Sequence, residues 1–301
     1  MVDFHIHTTC TDGMLSPEEV IEKAIRSGLQ AIALTDHNYI NEDLPALRRK
    51  YGQSIHLVNG MELSTKYTGI DGRSTEVHVV ALGFRNELMR DVVARNQRDH
   101  EGYINEMCTK LRRCGLDMPL YDGMKKAYPR HQRMQRLQLA DYMVKHGFVK
   151  NLDEAFERYI GAHGEKRAYA DPLKYADYIP LKDGVAAIRA AGGIPVLAHL
   201  FKYRFSERDN MRLIQMFTEA AGKDAAMEVY YGRYTNGKQY RLSQIADNWR
   251  ILWSSGSDFH GRVPEENLMP PSHFYQCPLG KHVYNRLAAR GDLSSSGSTG
   301  A

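Results

Sequence analysis

Short apolar runs alternate with helical runs along this chain, and the apolar runs repeatedly finish in histidine or a carboxylate. Val2–His7 is the first, with His5 and His7 inside it. Ser16-Pro17-Glu18-Glu19 then reads as a helix start: Ser16 caps, Pro17 sits in the first turn, and Glu19 closes a capping box. Val20, Ile21, Ala24 and Ile25 follow at helical spacing, and Gly28 marks the stop. Further strands are read at 31–35, 55–58, 76–82, 193–198, 226–230 and 251–255. Further helices are read at 183–191, 212–221 and 239–248. This series of strand–helix units predicts parallel strands joined by crossover helices. A length of 301 residues favours closure into an α/β barrel over an open sheet. In such barrels the working side chains lie at the C-terminal ends of the strands.

The segment 85–180 breaks this rhythm. It is helical by pattern and holds 18 basic and 14 acidic residues, which accounts for the whole net charge of +4. It is read as a helical insert, with the barrel built from 1–84 and 181–293 and a mobile low-complexity tail at 294–301. No apolar stretch approaches the ~18–20 residues of a membrane span. The first residues enter a strand and lack the pattern of a secretory signal, so the expected location is cytoplasmic. Four cysteines without CxxC spacing argue against a disulfide framework or a thiolate zinc site. A charge of +4 is too mild to call for a nucleic-acid polymer as partner.

The residues at or near the strand ends are His5, His7, Asp12, His37, Glu62, His78, His199, Asp258 and His260. His5 and His7 are two apart on a strand and therefore face one side; Asp258 and His260 repeat the spacing. A single histidine at a strand end is usually a surface or hydrogen-bonded residue. Nine ligand-type side chains on nearly every strand end are a different matter. Imidazole and carboxylate suit first-row divalent metals. One ion needs three or four protein ligands, so nine leave room for two or three ions.

These residues also resemble a known family. His5-Ile6-His7-Thr8 with Thr11-Asp12-Gly13, then Thr35-Asp36-His37, Gly60-Met61-Glu62, Glu76-Val77-His78, Ala198-His199 and Gly256-Ser257-Asp258-Phe259-His260-Gly261 resemble, in order, the motifs of the PHP (polymerase and histidinol phosphatase) family. The resemblance implies a distorted seven-stranded (β/α) barrel with a trinuclear centre of manganese, iron or zinc. It implies that His5, His7, Glu62 and Asp258 hold a first ion. A second would share Glu62 and add His78 and His199, and a third would take Asp12, His37 and His260. The layout of Arg136, Gly147, Glu154-Ala155-Phe156 and Tyr159-Ile160-Gly161 resembles the insert of the small-molecule phosphoesterase branch. That branch often reads Arg-Pro-His where this chain has Arg136-Leu137-Gln138, which points to a different substrate from the usual nucleotide monophosphate.

The chemistry expected from this set is phosphoester hydrolysis, with a hydroxide bridging two metals attacking phosphorus. Arg136 is the first candidate for a phosphate clamp, and Lys202 and Arg204 are weaker ones. Asp36 is read as catalytic-site support for the ligands rather than as a tenth ligand. The expected substrate is a small phosphorylated metabolite: a nucleotide or sugar phosphomonoester, or a cyclic phosphodiester. A nuclease or editing-type domain is the alternative enzyme, and a non-catalytic metal-binding module is the alternative outside enzymes.

Overall fold

The computed structural model describes residues 1–162, 165, 168–261 and 282–293. The tail read as mobile at 294–301 lies outside the described residues. The frame is one sheet whose strands lie in sequence order: β1 (Val2–Ile6), β2 (Ala31–Leu34), β3 (His56–Thr68), β4 (Ser74–Leu82), β5 (Ile194–Leu197), β6 (Ala226–Tyr231) and β7 (Leu252–Gly256). Its edges nearly meet. Ile6 bridges Phe259, and the His7 N–H donates to the Phe259 carbonyl at 2.8 Å. The result is an α/β sheet curled almost into a barrel, as expected from the sequence.

The strands are not all parallel, and here the expectation is corrected. β4 runs antiparallel to both β3 and β5. The tight turn at 69–73 joins β3 to β4 and leaves no room for a crossover helix. The reversal has a consequence for the site. It puts the first half of β4, and with it His78, at the end of the barrel where the parallel strands finish.

The helices are α1 (Pro17–Arg26), α2 (Leu44–Tyr51), α3 (Asn86–Arg95), α4 (His100–Arg113), α5 (Tyr121–Ala127), α6 (Arg136–Lys145), α7 (Leu152–Ala155), α8 (Leu181–Ala190), α9 (Glu207–Ala221), α10 (Asn236–Asn248) and α11 (Val283–Ala289). The start of α1 forms the capping box read from the sequence: the Ser16 N–H donates to Glu19 at 2.7 Å, and Ser16 accepts from the Glu19 N–H. Its Val20, Ile21 and Ala24 pack on Ile6, Ile32 and Leu34. Fully burying each such aliphatic side chain contributes about 1.5–3 kcal/mol. On the other flank α8, α9 and α10 cover Leu63, Val79, Leu197 and Met227.

Inside the barrel, Phe4, Val58, Val80, Val196 and Ala226 form an apolar floor with Val283 and Leu287 of α11. Between β4 and β5 the chain builds a separate apolar cluster from residues 103–170, including Ile104, Met107, Leu111 and Leu139. Helix α3 belongs elsewhere: its Met89 and Val93 pack into the barrel's outer cluster. No helix among the described residues is long and apolar enough to cross a membrane.

Candidate metal centre

Above the apolar floor the inward positions turn polar. Val58 and Glu62 share a face of β3, and His78 and Val80 share a face of β4, because side chains alternate along a strand. β1 needs an irregularity to join them. Val2 and Phe4 point to the floor, yet His5 and His7 also point inward. The ladder between β1 and β2 shifts register between Asp3 and Ile6, where this alternation breaks. His37 follows β2, His199 follows β5, and Asp258 and His260 follow β7. Asp12 comes from the loop after β1.

Glu62 is the hub. Its Oε1 lies 3.1 Å from His5 Nε2, 2.8 Å from His78 Nδ1 and 3.0 Å from His199 Nε2. Its Oε2 lies 3.3 Å from His7 Nε2 and 3.0 Å from His37 Nδ1. Five imidazoles exceed the roughly four lone-pair sites of one carboxylate. Much of this contact is not hydrogen bonding. His5 Nε2, both ring nitrogens of His7, the Nδ1 atoms of His78 and His199, and Glu62 Oε2 are buried without a hydrogen-bond partner. Buried polar atoms are normally paired, so a converging set of bare nitrogens and carboxylate oxygens fits divalent cations.

Among the described residues, three groups have ligand atoms within 4.8 Å of one another: His5, His7, Glu62, Asp258; His7, Asp12, His37, His260; and His37, Glu62, His78. The first holds the four residues expected together. The second holds the expected Asp12, His37 and His260 and adds His7. The third pairs His78 with His37, while His199 approaches Glu62 from another side.

The surroundings hold these ligands in place. Glu228 accepts from His5 Nδ1 at 2.6 Å and from the His199 N–H at 2.7 Å, so His5 turns Nε2 toward Glu62. His199 and Asp258 have φ of +31° and +55°, a conformation costly for residues with a Cβ and typical of over-determined functional corners. Gly256 makes the close approach possible, since a Cβ there would lie 2.5 Å from both Glu228 Oε1 and His5 Cβ. Asp258 Oδ2 accepts from Lys202 at 2.9 Å and from Tyr231 at 2.8 Å. Asp36 accepts from the Thr8 N–H, the Thr8 hydroxyl and the Thr11 hydroxyl at 2.9, 2.7 and 2.5 Å. It braces the loop that carries Asp12.

Carboxylates and imidazoles in the cluster shift one another strongly. Burial would raise the carboxyls of Glu62 and Asp12, but the imidazoles around them hold both well below the usual range. Asp258 is likewise depressed against burial, by Lys202 and the imidazoles of His260 and His5. Burial opposes protonation of the histidines, yet neighbouring carboxylates raise His7 to about 10 and His78 to about 9. His199 goes the other way, lowered to about 4 by burial and by Lys202.

A PHP domain model matches residues 3–171. The chain belongs to the PHP family. It is by class a hydrolase of phosphoester bonds. It is 31% identical over 262 residues to a 5'-3' exoribonuclease of Haemophilus influenzae, covering 86% of this chain and 89% of that one. It is 29% identical over 293 residues to a 3',5'-nucleoside bisphosphate phosphatase of Chromobacterium violaceum, covering 96% and 97%. A Chromobacterium violaceum structure described as an amidohydrolase with bound sulfate superposes with a TM-score of 0.77 at 26% identity, covering 96% of each chain.

In this PHP chain the ligand cluster floors a cleft of about 510 Å³. Arg136 lines it from α6, half-buried, with its guanidinium 5.5 Å from the Tyr169 ring and 5.9 Å from the Phe156 ring. It makes no ion pair among the described residues. Lys202 and Arg204 line the same cleft from the turn after β5, and Lys202 is engaged by Asp258. Three further residues support the ligands without a role assigned from sequence: Glu228, Arg98 and Glu76, the last named only within the Glu76-Val77-His78 motif. Glu76 accepts from Arg98 at 2.8 Å and stands 3.3 Å from His78 Nε2. A charge in the middle of the apolar run Ala226–Tyr231 was the available signal for Glu228.

Proposed function

We propose that this PHP protein is a divalent-metal phosphoesterase that removes a phosphate from a small nucleotide carrying more than one phosphate. The observation that carries the reading is the convergence of unpartnered imidazole nitrogens on Glu62 beneath a cleft lined by Arg136, an arginine that forms no ion pair among the described residues. The nine residues from His5 to His260 would hold two to three ions. Their donors are all nitrogen and oxygen, which suits manganese, iron or zinc. Bound ions of this kind supply activated water at neutral pH and positive charge opposite the phosphoryl oxygens.

The chain's own residues do the rest. Arg136 offers a planar fork to a phosphate group, held by the rings of Tyr169 and Phe156. Lys202 keeps Asp258 ionised and oriented through its 2.9 Å contact. Arg204 stands at the cleft as a cation for a second phosphate or a diester. The bisphosphate phosphatase relative, matched over nearly its whole length, supports a substrate with two phosphates. Of the two departing residues, Leu137 lines the cleft and Gln138 is wholly buried, so a difference in substrate contact would come through Leu137.

A second reading is removal of nucleotides from an RNA end. The exoribonuclease relative favours it, as do the cleft-lining Arg204, Arg233 and Lys238, which suit a phosphodiester chain. Phosphate or nucleotide release by the metal-loaded protein separates the readings. The panel is nucleoside 3',5'-bisphosphates, nucleoside and sugar monophosphates, a cyclic phosphodiester and a 5'-phosphorylated RNA oligonucleotide. The proposal expects the highest kcat/KM on the bisphosphate. Faster turnover of the oligonucleotide would move the assignment to the second reading, and no turnover of any would contradict both.

A further inference from the structure

Asp12 differs from the other candidate ligands in how it is held. The others stand on strands or directly follow them. Asp12 sits in the loop at 8–15, where no ladder fixes the backbone. The loop folds back tightly on itself, with the Thr11 and Gly13 N–H groups donating to the Thr8 carbonyl at 3.0 and 2.9 Å. Its outward carbonyls are taken by the segment between β4 and β5. Gln138 Nε2 donates to the Asp12 carbonyl at 2.9 Å, and His131 Nε2 lies 2.9 Å from the Gly13 carbonyl.

Gln138 has no exposed surface, and both ends of its amide are used. Its Oε1 accepts from the Gln135 N–H at 3.0 Å, which caps the first turn of α6. Gln135 in turn accepts from Arg98 at 3.3 Å through its own Oε1, and Arg98 grips Glu76 beside His78. The first turn of α6 is therefore strapped to the ligand cluster at two points. Arg136 lies between the two straps.

We propose that Gln138 is a positioning residue that locks the Asp12 loop and the Arg136-bearing turn of α6 into one unit, so that metal binding and phosphate recognition are coupled. Gln138 is wholly buried and is not part of the cleft lining, which includes Gln135. A side chain at 138 must donate to one backbone carbonyl and accept from one backbone N–H at the same time. Glutamine does both with a single planar group. The inference rests on the reading of Asp12 as a metal ligand.

Gln138→Glu tests it with little change in shape, because the variant keeps the acceptor for Gln135 and loses the donor to Asp12. Manganese binding is measured by equilibrium dialysis, beside the wild type and Asp12→Asn. The expected result is that one class of ion binds ~10–100-fold more weakly in both variants. KM for the phosphate substrate also rises in Gln138→Glu. A folded Gln138→Glu with wild-type manganese binding overturns the coupling. Unchanged binding in Asp12→Asn overturns the ligand reading instead. Hydrogen–deuterium exchange on the wild type provides a check that needs no variant. Manganese should protect residues 135–139 together with 8–13, and protection of 8–13 alone would also overturn the coupling.

Discussion

Glu228→Gln isolates what a carboxylate does beneath the metal centre. Glu228 is almost fully buried and accepts from two donors, His5 Nδ1 at 2.6 Å and the His199 N–H at 2.7 Å. Glutamine has one acceptor oxygen, and its NH₂ can only donate. With the oxygen turned to the His199 N–H, the NH₂ faces His5 Nδ1, and one buried donor faces another unless the imidazole moves its proton to Nε2. Leaving a buried donor unsatisfied costs about 1–3 kcal/mol, and at about 2–4 °C per kcal/mol for a domain of this size class the midpoint should fall by several degrees. The second effect is on metal. His5 loses the partner that fixes its tautomer, so the ion it helps to hold should bind ~10–100-fold more weakly. Calorimetry of metal-free protein gives the first quantity, and competition with a chelator gives the second. A variant with wild-type Tm and wild-type metal affinity would refute the reasoning, since it would mean that neither donor depends on Glu228.

Arg136→Ala should lower kcat/KM for a phosphate monoester by ~10–100-fold, the loss of a charge-assisted hydrogen bond worth about 1.5–3 kcal/mol, while metal content stays at the wild-type value. Gly13→Ala should reduce metal content and stability together, because its Cβ would lie 2.4 Å from the His7 carbonyl and only backbone can yield. His282 is buried neutral, with burial and the chain's N-terminal charge lowering it to about 3. Its folded pKa is below the unfolded one, so its contribution is complete above about pH 6.5 and fades as pH falls toward 3. His282→Asn keeps an acceptor for the Tyr284 N–H. Its stability relative to wild type should improve by up to ~1.4 kcal/mol per pH unit below 6.5, whereas parallel pH profiles in denaturant titrations would contradict this.

Most candidate ligands were legible because they stand where an apolar run stops, and a barrel gathers strand ends at one mouth, whereas His5 and His78 lie inside strands and Asp12 in a loop. His5 and His7 carried their shared orientation in their spacing. The direction of β4 was missed. Asp71-Gly72 is a hairpin signal between two β-rich runs, and Gly72 does adopt φ +78°. The strand–helix rhythm elsewhere masked it. The partners of the ligands were harder to read. Glu228 meets His5 across 223 residues and Gln138 meets Asp12 across 126, and no local pattern encodes such pairings. Lys202 is the weaker phosphate candidate in the sequence, and in the structure it lines the cleft with its ammonium engaged by Asp258.

Elemental analysis of reconstituted wild type and Glu62→Gln decides whether these residues hold a multinuclear metal centre, because Glu62 belongs to two of the three ligand groups among the described residues. Two to three ions per chain are expected in the wild type and at most one in the variant. One ion or none in the wild type, or a full complement in Glu62→Gln, would contradict such a centre.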